Sequence, residues 1–67
     1  MTTNEHAGRV IRTLRQAQQL TLRELAGLAG VNPGYLSTVE RGLEEPSPRW
    51  LRRVTDALGR NLAGHHS

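Results

Sequence analysis

The stretch LRELAGLAGVNPGYLSTVER, Leu22–Arg41, decides the fold. It holds two short helical patterns with almost nothing between them. Thr21, just before it, and Glu24 three residues later make a capping-box start, in which side chains satisfy amides that the first turn leaves unpaired. Leu22, Leu25, Ala26 and Ala29 then share one face at helical spacing, and Gly30 suits a left-handed stop. Gly27, inside this helix, costs about 1 kcal/mol relative to Ala unless something packs against it. The second pattern opens at Asn32, a favourable N-cap. Pro33 follows at the first helical position, where it forfeits only an amide that was unpaired anyway. Gly42 closes it. A turn of only Gly30-Val31 is too short for antiparallel packing and implies a sharp crossing, as in a helix-turn-helix.

Helical spacing also governs the flanks. Ala7, Val10, Ile11, Leu14 and Ala17 follow the i, i+3, i+4, i+7 rule and predict a buried stripe on a first helix, with Thr2 and Glu5 as a capping box and Gln18-Gln19-Leu20 as its end. Beyond the LEEP link at 43–46, Ser47 caps a fourth helix with Pro48 in first position. Trp50, Leu51, Val54 and Leu58 form its inner stripe, and Gly59 is expected to end it. Residues 61–67 are expected to form a short turn around Asn61-Leu62 and a tail. No stretch alternates apolar and polar residues for long, and nothing repeats internally. The expectation is one all-α domain over residues 1–67, a compact bundle of four to five helices with its core in 5–60.

Composition narrows the function. The 67 residues contain no cysteine and no phenylalanine, which removes disulfides and thiol chemistry and leaves the core to aliphatic side chains. Nine cations, all Arg, against six acids give a formal charge of +3, which permits a nucleic-acid partner without demanding one. No apolar run approaches a membrane span and the first residues lack the order of a signal peptide, so a soluble, cytoplasmic chain is expected. No carboxylate pair, and no Ser spaced with His and Asp, suggests catalysis, so no enzyme is expected. His65 and His66 are adjacent and lack acidic or thiol partners, so neither a metal nor any other cofactor is expected. His6 is expected at the surface.

Leu22–Arg41 resembles the helix-turn-helix of the phage repressor and Cro type, the XRE family. The small Ala26, the turn glycine Gly30 and the aliphatic Leu36 and Val39 fall where that pattern wants them, and Leu25, Ala29 and Val31 match its apolar positions. The following ERG and the PS…L…ALG segment extend the likeness over roughly residues 7–59. The resemblance implies a lambda-repressor-like fold and a sequence-specific regulator of transcription, a repressor being the expected kind. Such a protein binds double-stranded DNA with helix 32–41 in the major groove. Family members usually bind as homodimers on half-sites about one helical turn apart. Here either Leu62 and its neighbours supply a small interface or pairing occurs only on DNA.

With Leu36 and Val39 facing inward, a helical wheel turns Gly34, Thr38 and Arg41 directly outward, with Tyr35 and Ser37 on the flanks. Asn32, Pro33, Gly34, Tyr35, Ser37 and Thr38 are therefore the candidates to meet bases. Pro33 and Gly34 have no polar side chain to offer, where the family often has Gln or Ser, so direct readout at the helix start is expected to be modest. A bare start also lets backbone come close. Phosphates suit the free amides and positive dipole ends at Thr21, Leu22 and Arg23 and at Arg49 and Trp50. The family resemblance adds Arg41 and Arg15. It also implies an ion pair between Arg15 and Glu40 that orients the third helix. Leu22 stands where the family usually has a phosphate-clasping Gln, and Glu44 and Glu45 stand where basic or neutral residues are common; a solvated loop accounts for the two acids. Trp50 reads as a core anchor more than a stacking platform, since single-strand binders use several aromatics.

The competing function is a repressor-like module that binds a protein partner, as an antitoxin or co-regulator, without DNA specificity of its own. That version requires large exposed apolar residues on the outward face of the third helix. Only Tyr35 qualifies.

Overall fold

In the computed structural model, which describes residues 3–64, four helices follow one another: α1 (Thr3–Ala17), α2 (Leu22–Ala29), α3 (Pro33–Glu40) and α4 (Pro48–Gly64). Among the described residues there is no strand. Thr2 of the expected Thr2–Glu5 box and the tail histidines His65 and His66 lie outside the described residues.

The central pair forms as its local signals require. Thr21 Oγ1 accepts from the Glu24 amide at 3.0 Å while the Glu24 carboxylate accepts from the Thr21 amide at 2.8 Å, a complete capping box. Gly30 caps α2 at φ +70°, and Gly42 follows α3 at φ +76°, with the Leu43 amide reaching back to the Thr38 carbonyl. Both glycines sit in the left-handed region that a Cβ disfavours. Nothing lies within 4 Å of a Cβ built at Gly27, so its helix cost is uncompensated.

The core is Ile11, Leu25, Ala26, Ala29, Leu36, Val39, Val54, Ala57 and Leu58, with Trp50, Leu51 and Tyr35 packed against it. It joins all four helices, so α2 and α3 are wedged between α1 and α4 rather than standing alone.

Two expectations fail on the flanking helices. The stripe expected to be buried on α1 contributes only Ile11 in full; Val10 is 53 % and Leu14 41 % exposed, and Ala17 is exposed. The helix is instead turned toward α3, burying Gly8, because its backbone lies against the end of α3. A Cβ at Gly8 would run into the Val39 carbonyl oxygen, with the Val39 carbonyl carbon at 3.0 Å and the Glu40 Cα at 3.2 Å. Nor does α4 end at Gly59. It continues to Gly64 and absorbs the expected separate turn at Asn61-Leu62. Asn61 lies seven residues after Val54, two helical turns along the same inward face. Its Nδ2 donates to Gln18 Oε1 at 2.6 Å, and Gln18 Nε2 donates to the Leu58 carbonyl at 3.1 Å. That pair ties the extended helix to the end of α1.

Candidate nucleic-acid interface

The candidate interface centres on α3, whose two ends are held differently. At the C-terminal end Arg15 makes a bidentate pair with Glu40, Nε to Oε2 at 2.8 Å and Nη2 to Oε1 at 3.0 Å, while Nη1 donates to the Leu20 carbonyl at 2.9 Å. The Arg15 and Glu40 side chains are only 12 % and 5 % exposed. The hydrogen bond to Glu40 raises the Arg15 pKa further above its already high ordinary value, against the opposing effect of burial. One guanidinium thus joins α1, the α1–α2 link and α3. The expected pair forms, and three of the five N–H bonds of Arg15 serve the fold.

At the N-terminal end the helix is capped from within. Asn32 Oδ1 accepts from the Tyr35 amide at 3.0 Å. Pro33 and Gly34 are exposed, and the one atom within 4 Å of a Cβ built at Gly34 is Asn32 Oδ1 itself, at 3.1 Å. Leu36 and Val39 are buried as expected, which leaves Gly34 and Arg41 exposed and Thr38 half-buried. Thr38 Oγ1 donates to the Gly34 carbonyl at 3.0 Å. Ser37 is half-buried beside it. Tyr35 is also half-buried, its ring edge-on to Trp50 with centroids 5.2 Å apart at 82°. That contact draws the tyrosine toward the start of α4 and away from the bare face around Gly34.

The starts of α2 and α4 flank this helix. In α2 the capping box consumes the amides of Thr21 and Glu24, leaving those of Leu22 and Arg23 for another acceptor. In α4 the Trp50 amide donates to Ser47 Oγ at 3.1 Å, so of the two amides expected there only Arg49's stays available. Ser47, Arg49, Trp50 and Arg53 line an open hollow of ≈ 210 Å³ at this point. Arg41, together with Arg9, Glu40 and Gly42, lines a second hollow of ≈ 170 Å³ beside the ion pair. Glu44 and Glu45 are exposed, as a solvated loop requires, while Pro46 between them and α4 is buried.

Sequence reasoning missed three participants. Gly8 seats α3, and its signal, a lone glycine in a helix, is indistinguishable from a simple propensity cost. Arg53 donates to the Gly30 carbonyl at 3.5 Å and Arg60 to the Leu28 carbonyl at 3.4 Å, both weak contacts at the negative end of α2. Their seven-residue spacing on α4 was the available signal.

The family model of a helix-turn-helix domain matches residues 6–65. The chain is 46 % identical over 54 residues to the transcriptional regulator ClgR of Mycobacterium tuberculosis, which spans 81 % of this chain and 48 % of that one. It is 38 % identical over 52 residues to the HTH-type transcriptional regulator SlrR of Bacillus subtilis, across 76 % of this chain and 34 % of that one. The crystal structure of the clp gene regulator ClgR from Corynebacterium glutamicum superposes with a TM-score of 0.82 at 38 % identity, covering 100 % of this chain and 96 % of that one. The chain thus spans about half the length, or less, of the curated relatives it matches.

Proposed function

The chain belongs to the helix-turn-helix domain family, and on that premise we propose that it regulates transcription by binding double-stranded DNA, with α3 in the major groove. The observation that carries this reading is the groove-facing surface of α3, which is polar or bare, flanked on both sides by helix starts with unspent amides and by arginines. A helix that must lie against base edges needs a low profile, and Gly34 and Thr38 provide it. Leu22 and Arg23 on one side and Arg49 on the other meet phosphates and set the register, with Arg41 adding charge. Arg15 acts mainly by holding α3 and has two N–H bonds left for a phosphate. Tyr35 is held edge-on to Trp50 at the start of α4.

Large exposed apolar residues are absent from this face. Those that are exposed, Val10, Leu14, Leu28, Leu43 and Leu62, lie elsewhere, which favours DNA over a protein partner at α3. Val10 and Leu14 on α1, with Leu62 on α4, supply apolar surface for a homodimer placing two copies of α3 on neighbouring half-sites. Repression follows when such a site overlaps a promoter. The protein acts in the cytoplasm, as a binding protein rather than an enzyme and without a cofactor. Among the described residues no helix is long and apolar enough to cross a membrane.

Selection from random duplexes, followed by titration of the enriched sequences across salt concentrations, tests the function. An enriched inverted repeat establishes a specific regulator that binds as a pair. A steep salt slope without enrichment means that phosphate contacts alone sustain binding. Absence of binding overturns the proposal in favour of a protein partner.

A further inference from the structure

The hydrogen bonds within α3 restrict what its groove face can say to a base. A carbonyl oxygen only accepts, so the bond from Thr38 Oγ1 to the Gly34 carbonyl, 3.0 Å long, commits the single hydroxyl proton of Thr38 to the helix itself. The lone pairs remain. A backbone amide only donates, so the Tyr35 amide at 3.0 Å from Asn32 Oδ1 fixes which side of the Asn32 carboxamide is the oxygen and engages it. The NH2 group remains.

We propose that α3 reads bases with fixed polarity: Thr38 as a hydrogen-bond acceptor and Asn32 as a donor. Resting on the proposed seating of α3 in the major groove, this names the base edges. Thr38 faces an exocyclic amino group, N6 of adenine or N4 of cytosine, because those are the only donors the major groove displays. Asn32 faces an acceptor: N7 or O6 of guanine, N7 of adenine or O4 of thymine. The two are six positions apart, about 9 Å along the helix axis, so they address different base pairs. Between them Gly34 adds nothing that could contradict either.

Asn and Thr free in solution are ambidextrous and tolerate either polarity. Here the cap and the i−4 bond remove the ambiguity at both positions, which compensates in part for the missing side chains at Pro33 and Gly34. Gly34 matters twice, since its carbonyl orients Thr38 and its lack of a side chain leaves the Asn32 carboxamide uncrowded.

The test starts from a duplex enriched by selection and replaces single bases with analogues. Purine stands in for adenine and 2-pyrimidinone for cytosine, each lacking only the amino group. For the unmodified protein, one position is expected to lose about three- to tenfold in affinity on analogue substitution, the effect of one hydrogen bond. In Thr38→Val, of the same shape and without an acceptor, the same analogue should cost nothing further, while Thr38→Ser should restore the penalty. Asn32→Ser keeps an N-cap and should lose discrimination at a second position, one that carries an acceptor. The proposal is overturned if the analogue penalty persists in Thr38→Val, or if the position that responds to Thr38 is a guanine or thymine. Failure to enrich any duplex instead removes the DNA reading beneath it.

Discussion

At its C-terminal end α3 is gripped by the rest of the chain: Val39 lies on the backbone of Gly8 and Glu40 is held by two hydrogen bonds from Arg15. At its N-terminal end Pro33 and Gly34 are exposed, and the cap is supplied by the residue immediately before them. Eight residues thus divide two tasks. In the proposed reading, the end that is seated sets the angle of the helix and the free end meets DNA. A weakly armed reading surface gains from this arrangement, because a rigid helix loses little further freedom when it docks.

Disturbing the gripped end should have the largest effects. Gly8→Ala forces α1 and α3 apart and is expected to destabilise the fold by about 3 kcal/mol, read as a lowered midpoint in urea. Removing one partner of the ion pair comes next. Glu40→Ala leaves a mostly buried guanidinium bound only to Leu20, and about 2 kcal/mol of stability should go, less than for a fully buried pair. If Glu40→Ala leaves both the denaturation midpoint and DNA affinity unchanged, the pair does not seat α3.

At the free end, stability and recognition should separate. Thr38→Ala is expected to relax the preference at one base position by about 1–2 kcal/mol, with the denaturation midpoint little changed. Arg49→Ala should weaken every duplex alike and lower the salt slope by about one. Equal behaviour of these two variants across sequences would contradict the division between base and phosphate contacts.

The smallest effects sharpen the contrast. Gly27→Ala places a methyl group in open space and should stabilise by about 1 kcal/mol, whereas at Gly34 the methyl group would press on Asn32 Oδ1 at 3.1 Å and offset that gain. Gly27 is exposed on α2 rather than on α3, so binding there should be unaltered, whereas the methyl at position 34 should weaken it. Weakened binding in Gly34→Ala with the denaturation midpoint little changed would isolate the role of the bare surface.

The central pair of helices was legible because its signals are local. Thr21, Glu24, Gly30, Asn32, Pro33 and Gly42 each act on their own backbone, and the inward placement of Leu36 and Val39 follows from spacing alone. What the sequence hid was pairwise. Val10 and Leu14 have the hydropathy of core residues, yet the seat Gly8 makes for Val39 turns α1 away from them. Gly59 resembles a stop, but a glycine ends a helix only where the chain has somewhere else to go, and the Gln18–Asn61 bond draws α4 onward. The candidate base contacts could be named from a helical wheel, as could the Arg15–Glu40 pair from family resemblance. Their hydrogen-bond polarity could not, because it depends on which partner each group has already taken.

The most direct measurement is an amide chemical-shift titration of the isotopically labelled protein with a duplex enriched by selection. The account predicts the largest perturbations at Leu22, Arg23, Asn32, Gly34 through Thr38, and Arg49, with Gly8 and Val39 nearly still. Perturbations confined to Val10, Leu14 and Leu62, or spread evenly over the chain, would contradict a seated α3 that meets DNA with its free end.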